Sequence, residues 1–255
     1  MAPHPPAPAP GPDEDGDGAA GPGATPRAVP PAVVADRLTK SYGELVALGP
    51  LDLAVPPGQL VVLVGHNGSG KSTLLGMCAG LLDASEGTLL VDGHPAGSFE
   101  ARAATAYIPD HPVLYDDLSV LEHLEYVARL HGVLDWEERG RPLLARLGLE
   151  ARADDLPSRF SRGLRQKASI ALAFVRPFDV LLVDEPFVGL DPRGRAVMGE
   201  LVEEAHQGGA AVVLATHQLD FVHRAERCLA LRDGAVVYDG PAKGADVDQL
   251  VLGDT

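Results

Sequence analysis

Leu60-Val61-Val62-Leu63-Val64 runs directly into Gly65-His66-Asn67-Gly68-Ser69-Gly70-Lys71-Ser72-Thr73, and this stretch decides the fold. The first five residues are apolar without interruption and read as a buried strand. The next nine fit G-x-x-x-x-G-K-[ST] at every fixed position. Leu74, Leu75, Cys78, Leu81 and Leu82 then recur at helical spacing. Strand, glycine-rich loop and helix form the context in which this pattern captures phosphate. Successive backbone N–H groups of the loop cradle the anion, and the helix adds its free N–H groups and positive dipole end. Gly65, Gly68 and Gly70 permit positive φ and close approach of the backbone. Lys71 is expected to reach the terminal phosphates and the Ser72 hydroxyl to meet Mg²⁺.

The chain has 255 residues and a formal net charge of −15. That length accommodates one large α/β domain with a small subdomain. The acidic balance argues against nucleic acid as a partner, because such binding rests on Lys and Arg neutralising phosphates. Cys78 and Cys228 lie far apart in apolar settings with no C-x-x-C pattern, and read as buried free thiols in a reducing compartment. Residues 1–31 are mostly Pro, Ala and Gly with an acidic cluster at Asp13–Asp17. They are expected to be a disordered tail, since they bury too little apolar surface to offset ordering entropy. With no basic n-region and no clean apolar run they do not read as a signal peptide. No apolar run approaches the ~20 residues of a membrane helix, so a soluble chain is expected.

Beyond the tail, Val33–Leu38 and Leu51–Val55 read as strands, with Pro56-Pro57-Gly58 a turn into the central strand. Thr88–Val91 and Ala104–Ile108 are further strand candidates. Ser119-x-x-Glu122 is a capping box opening a helix with Leu121, Leu124 and Ala128 on one face. Asp135-x-x-Glu138 opens another, which Pro142 is expected to kink or split. Ser161 opens a helix through Val175. These helices make residues 111–175 a helical insertion in the α/β domain. Val180–Val183 is apolar on both faces, as in the middle of a parallel sheet, and ends in Asp184-Glu185. Asp191 reads as an N-cap with Pro192 at N1 of a helix to about His206. Ala210–Ala215 is a buried strand leading to Thr216-His217. Cys228–Leu231 and Ala235–Tyr238 form a hairpin around Asp233-Gly234, and residues 241–255 are expected to be a C-terminal tail.

The carboxylate pair narrows the function. Asp184 is placed to hold Mg²⁺ as a Walker-B acid, and Glu185 to polarise an attacking water. With these residues together the chain resembles the ATP-binding cassette ATPases. The resemblance spans roughly Val33 to Tyr238, and the family's motifs occur in order. Tyr42 matches the adenine-stacking aromatic, Gly65–Thr73 Walker A, and Val180–Glu185 Walker B with its catalytic Glu. Phe160-Ser161-Arg162-Gly163-Leu164 lies at the LSGGQ signature, Gly189-Leu190-Asp191 at the D-loop, and His217 at the switch histidine.

The resemblance implies a P-loop core with a mainly parallel sheet, an N-terminal antiparallel β subdomain and a helical subdomain inserted before the signature motif. It implies a cassette over 32–240 that binds ATP and Mg²⁺ and pairs head to tail with a second copy. Ser161 and Gly163 of one copy, with Asp191 nearby, would then meet the ATP held by His66, Asn67, Ser69, Lys71 and Thr73 of the other. Glu185 would be the general base and His217 would hold the γ-phosphate. Separate integral-membrane permease subunits would be driven from the cytoplasmic side. Two motifs depart from the family pattern: Arg162 and Leu164 alter the signature, and Asp110, after Tyr107-Ile108-Pro109, stands where a Q-loop Gln is usual. Asp110 is expected to serve the metal. Ile-Pro-Asp with this signature looks like the Ecs-type and drug-exporter cassettes, which points to export. A single-cassette ATPase in a non-transport assembly role is the alternative, and a binding-only cassette is disfavoured by Lys71, Asp184, Glu185 and His217.

Overall fold

The computed structural model describes residues 29–216 and 218–252. The 1–31 tail, apart from its last three residues, and His217 therefore lie outside the described residues. Two sheets carry the fold. β1 (Val33–Tyr42) pairs antiparallel with β2 (Leu45–Val55). β3 (Leu60–Val64) leads through the loop to α1 (Lys71–Cys78). β4 (Glu86–Val91) and the two-residue β5 (His94–Pro95) complete a four-stranded antiparallel sheet ordered β2-β1-β4-β5. α2 (Phe99–Ala104) then gives way to β6 (Thr105–Ile108).

A helical stretch follows: α3 (Val120–Leu130), α4 (Trp136–Leu147) and α5 (Arg162–Phe174), with short 3₁₀ turns between the last two. The chain returns through β7 (Val180–Asp184), α6 (Pro192–Gln207), β8 (Ala211–Ala215) and α7 (Leu219–Val222). It closes with β9 (Arg227–Arg232), β10 (Ala235–Pro241) and α8 (Val247–Leu252). The second sheet is ordered β10-β9-β3-β8-β7-β6. Its five strands from β9 to β6 are parallel, and β10 is an antiparallel edge. The mainly parallel sheet, the antiparallel β subdomain and the helical insertion are those expected from the sequence.

β3 sits between β8 and β9 and is buried over its whole length. Side chains alternate across a strand, so one strand serves two cores. Val61 and Leu63 face the antiparallel sheet and α1, packing with Leu38, Leu51, Leu74 and Leu75. Leu60, Val62 and Val64 face the other core, with Ile108, Leu124, Ile170 and Met198. A sheet covered on both faces needs strands apolar on both faces, which explains the unbroken apolar runs of β3, β7 and β8.

Several boundaries move from those expected. β1 continues to Tyr42 through polar Thr39-Lys40-Ser41, because β2 supplies backbone partners across register shifts. α1 stops at Cys78; Leu81 is exposed, and Leu82 packs on the first core from beyond the helix. Pro142 does not split α4. The helix is unbroken through it, and Pro142 is exposed, so water can satisfy the Glu138 carbonyl that loses its partner. Asp135 makes no capping hydrogen bond and instead lies 3.6 Å from Arg139. The capping boxes fare as expected at Ser119 with Glu122. α8 falls in the stretch read as a C-terminal tail, with Val247 buried and Leu250 and Val251 packed on the second core.

Leu63 is fully buried at the centre of the sheet. Leu63→Ala is expected to cost about 2–5 kcal/mol of unfolding free energy, read from urea melts followed by Trp136, the chain's one tryptophan.

Candidate nucleotide site

The loop after β3 wraps around its own lysine. Lys71 Nζ donates to the carbonyl oxygens of Gly65 at 2.7 Å and His66 at 3.2 Å. The residue is 6% exposed. Burial pulls its ammonium below the ordinary lysine range, against the opposing fields of Glu185 and then Asp184. Gly65 adopts φ 151°, and a Cβ there would collide with the Leu231 carbonyl and the Ser69 hydroxyl. Ser69 N–H is spent inside the loop on His66 O, at 3.1 Å.

α1 starts from Gly70 in the left-handed region with no side-chain cap. By contrast α2, α3, α5 and α6 are capped by Ser98, Ser119, Ser161 and Asp191. The N–H groups of the first turn of α1 thus lack the side-chain acceptor given to those helices, as an anion site requires.

A cavity of about 210 Å³ opens over this turn, lined by Asn67, Gly68, Gly70, Lys71, Ser72 and Thr73 on one side and by Asp110, Asp184 and Glu185 on the other. Asp184 ends β7 and is 3% exposed. Burial raises its pKa, Ser72 opposes by hydrogen bonding, and the like charge of Asp110 raises it further. Glu185 follows at φ 44°, a left-handed conformation unusual for a side chain of this size, with its N–H held by Ala215 O at 3.0 Å. Among the described residues no three His, Cys, Asp or Glu converge as a metal cage. The donors beside the cavity are oxygens, Ser72, Asp184 and Asp110, and these fit a hard cation that keeps water and phosphate ligands.

The other residues singled out in the sequence take varied places. Tyr42 ends β1 half-exposed, with the Lys40 ammonium 5.1 Å from its ring centroid. Across the β1–β2 turn it pairs with Leu45, two residues before Ala47, which lines the cavity. His66 points outward, 3.3 Å from Asp233. Ser161 caps its own helix, accepting from Leu164 N–H at 3.4 Å. Gly163 packs under the Gly189 carbonyl so closely that a Cβ would clash. Asp191 caps α6 through Gly194 N–H and pairs with Lys167 at 2.9 Å; that lysine first, and the cap second, hold its carboxyl below the usual range. Neither Ser161, Gly163 nor Asp191 lines the cavity.

Asp110 reaches the cavity and also meets Arg162 at 2.6 Å. The two departures from the family pattern therefore touch each other. The sequence also gave no sign of the support behind the loop. Gly234 N–H donates to Ser69 O at 3.1 Å and Gly234 O accepts from Gly49 N–H at 2.8 Å. The β9–β10 turn, read only as a hairpin, thus ties the phosphate loop to β2.

A parallel sheet with this loop at the end of its central strand and two carboxylates at the end of the next strand but one defines a P-loop nucleoside triphosphatase. The ABC transporter family model matches residues 48–188. The ABC-type transporter ATP-binding protein EcsA of Bacillus subtilis (strain 168) is 36% identical, over 78% of this chain and 83% of its own. The phosphonates import ATP-binding protein PhnC of Maricaulis maris (strain MCS10) is 36% identical, over 86% of this chain and 92% of its own. A dimeric structure of a post-hydrolysis state of the ATP-binding cassette MJ0796 bound to ADP and Pi superposes with a TM-score of 0.75 at 28% identity, covering 84% of this chain and all of that one. The chain belongs to the ABC transporter family, as an ATP-binding, ATP-hydrolysing cassette.

A raised carboxyl pKa favours the folded state in acid, and that contribution is lost as pH rises through the folded-state value. Ionised Asp184 therefore burdens the nucleotide-free fold at neutral pH. Asp184→Asn is expected to raise its melting temperature by about 1–4 °C, with the gain shrinking toward acid, while ATP turnover falls.

Proposed function

We propose that the cassette works as a head-to-tail pair of copies that closes on two Mg-ATP molecules and drives separate integral-membrane subunits. The observation that carries this reading is a one-sided site. Lys71, Asp184 and Glu185 meet in one cavity, while Ser161 and Gly163 at the start of α5 stay outside it. A second copy supplies the missing wall if the α5 N-terminus faces the partner's nucleotide, where its backbone N–H groups and dipole favour phosphate. Lys71 then exchanges carbonyl partners for phosphate oxygens. Ser72 and Asp184, with Asp110 beside them, would hold Mg²⁺, which would supply positive charge against the phosphates. Glu185 accepts a proton from the attacking water, Tyr42 stacks on the adenine, and His217 holds the γ-phosphate.

A membrane partner is supported by a second, more apolar cavity of about 550 Å³. Tyr107, Leu114, Val127, Leu172 and Arg176 line it, with exposed Leu81 and Val113 at its rim. It lies beside His111–Leu118, where Tyr115, Asp116 and Asp117 are exposed. A helical segment of the membrane subunit with an apolar face fits this groove. No helix among the described residues is long and apolar enough to cross a membrane itself. Held by those subunits, the cassette would work in the cytoplasm at the membrane's inner face. The Ecs-type look points to export, and PhnC, named for import, shares the same 36% identity with this chain.

Mg-ATP at about a hundredfold over its dissociation constant is expected to stabilise the parent by about 2.7 kcal/mol, and Lys71→Ala to remove that melting shift. Glu185→Gln is expected to keep nucleotide binding and lose about 10²–10⁴-fold in turnover. It should also elute at twice the monomer mass with Mg-ATP, by light scattering; a monomer throughout refutes the paired site.

A further inference from the structure

The structure assigns Arg162 a positioning role: it is the counter-ion that holds Asp110 until the metal-nucleotide claims that carboxylate, and so it sets how much Mg²⁺ the site requires. This rests on the Mg-ATP reading above and goes beyond it, since Arg162 lies outside the cavity that holds the nucleotide.

The argument starts from charge. Asp110, Asp184 and Glu185 line one small cavity with one ammonium, Lys71. Asp110 and Asp184 line the same cavity, and behind burial, the first cause, the negative charge of Asp110 helps to raise the Asp184 carboxyl. Without a cation in the cavity Asp110 needs compensation from elsewhere. Arg162 supplies it, its Nη2 donating to Oδ1 at 2.6 Å, while the His111 ring lies 3.4 Å from Oδ2. Both members of the Arg162–Asp110 pair are partly open to water, with side chains 46% and 32% exposed. Ion pairs of that exposure are weak and exchange readily.

The base of Arg162 does not move freely. It is the first residue of α5, behind the Ser161 cap, and the next residue, Gly163, is wedged under Gly189. Gln166, one turn on and 1% exposed, donates to Pro109 O at 3.3 Å. The backbones on either side of the pair are thus tied, and the exchange is a swing of the Arg162 side chain alone. A dication beside Asp110 attracts the carboxylate and repels the guanidinium, so the two compete for one partner. Neither a glycine at 162 nor a neutral amide at 110 would create that competition.

The test titrates Mg²⁺ into the full chain with a fluorescent, non-hydrolysable ATP analogue and reads the half-saturating Mg²⁺ from anisotropy. Arg162→Gln is expected to lower it about two- to fivefold, the range a partly exposed ion pair allows. Arg162→Lys, which keeps the charge, is expected to stay near the parent. In an Asp110→Asn background Arg162→Gln is expected to change nothing. An unchanged or raised Mg²⁺ requirement in Arg162→Gln overturns the assignment. So does an equal shift in Arg162→Lys, or an effect that persists without the Asp110 carboxylate. Failure of the parent to bind the analogue at any Mg²⁺ takes down the nucleotide reading itself, an outcome distinct from binding with identical Mg²⁺ dependence in every variant.

Discussion

A buried ammonium held by two backbone carbonyls is the interaction on which this structure turns. Lys71 is largely withdrawn from water, and most of its solvation is replaced by Gly65 O and His66 O on one side and by the fields of Glu185 and Asp184 on the other. Such a charge is costly to bury unless its partners are fixed in advance. Each partner is fixed by the parallel sheet. Gly65 continues β3, the strand shared by both cores, and Asp184 ends β7, which pairs with β8 beside it. The site is an end-on consequence of which strands are neighbours.

The sheet fixes the site from behind as well. The strained turn at Glu185 is anchored by Ala215 at the end of β8, the strand that leads to His217. The loop itself is braced by Gly234 in the β9–β10 turn, which also holds Gly49 of β2. The antiparallel sheet and the phosphate loop are thereby joined through backbone hydrogen bonds. Elsewhere Arg146 of α4 reaches Glu200 and Glu204 of α6, a surface cluster that adds modest stability.

Much of this was legible in the sequence because it is local. The β3 run, the glycine spacing, the Ser119 capping box and the Asp191–Pro192 helix start are each written within a few residues, and each appears where expected. What stayed hidden is non-local. Val34 and Thr39 belong to one strand only because β2 and β4 are there to pair with it. Pro142 looks like a breaker until its exposure is known. α8 is six residues opened by Asp246, whose carboxylate accepts from Gln249 N–H at 3.0 Å, and its apolar face acquires meaning only from the core beneath it. For the site, the phosphate loop and the two carboxylates could be read directly. The contact between Asp110 and Arg162 could not, since 52 positions separate them in sequence and neither residue alone signals a partner.

The buried thiols carry a practical consequence. Cys78 lies in α1 under the antiparallel sheet and Cys228 in β9, both shielded from water. Burial pushes Cys78 up to about 12 and Cys228 up to about 11, so almost no thiolate forms at neutral pH, and thiolate is the reactive species. Maleimide dyes would therefore discriminate by themselves between these two sulfurs and one engineered onto the surface. Distance measurements between labelled copies can begin from the natural sequence, with no need to strip its cysteines first.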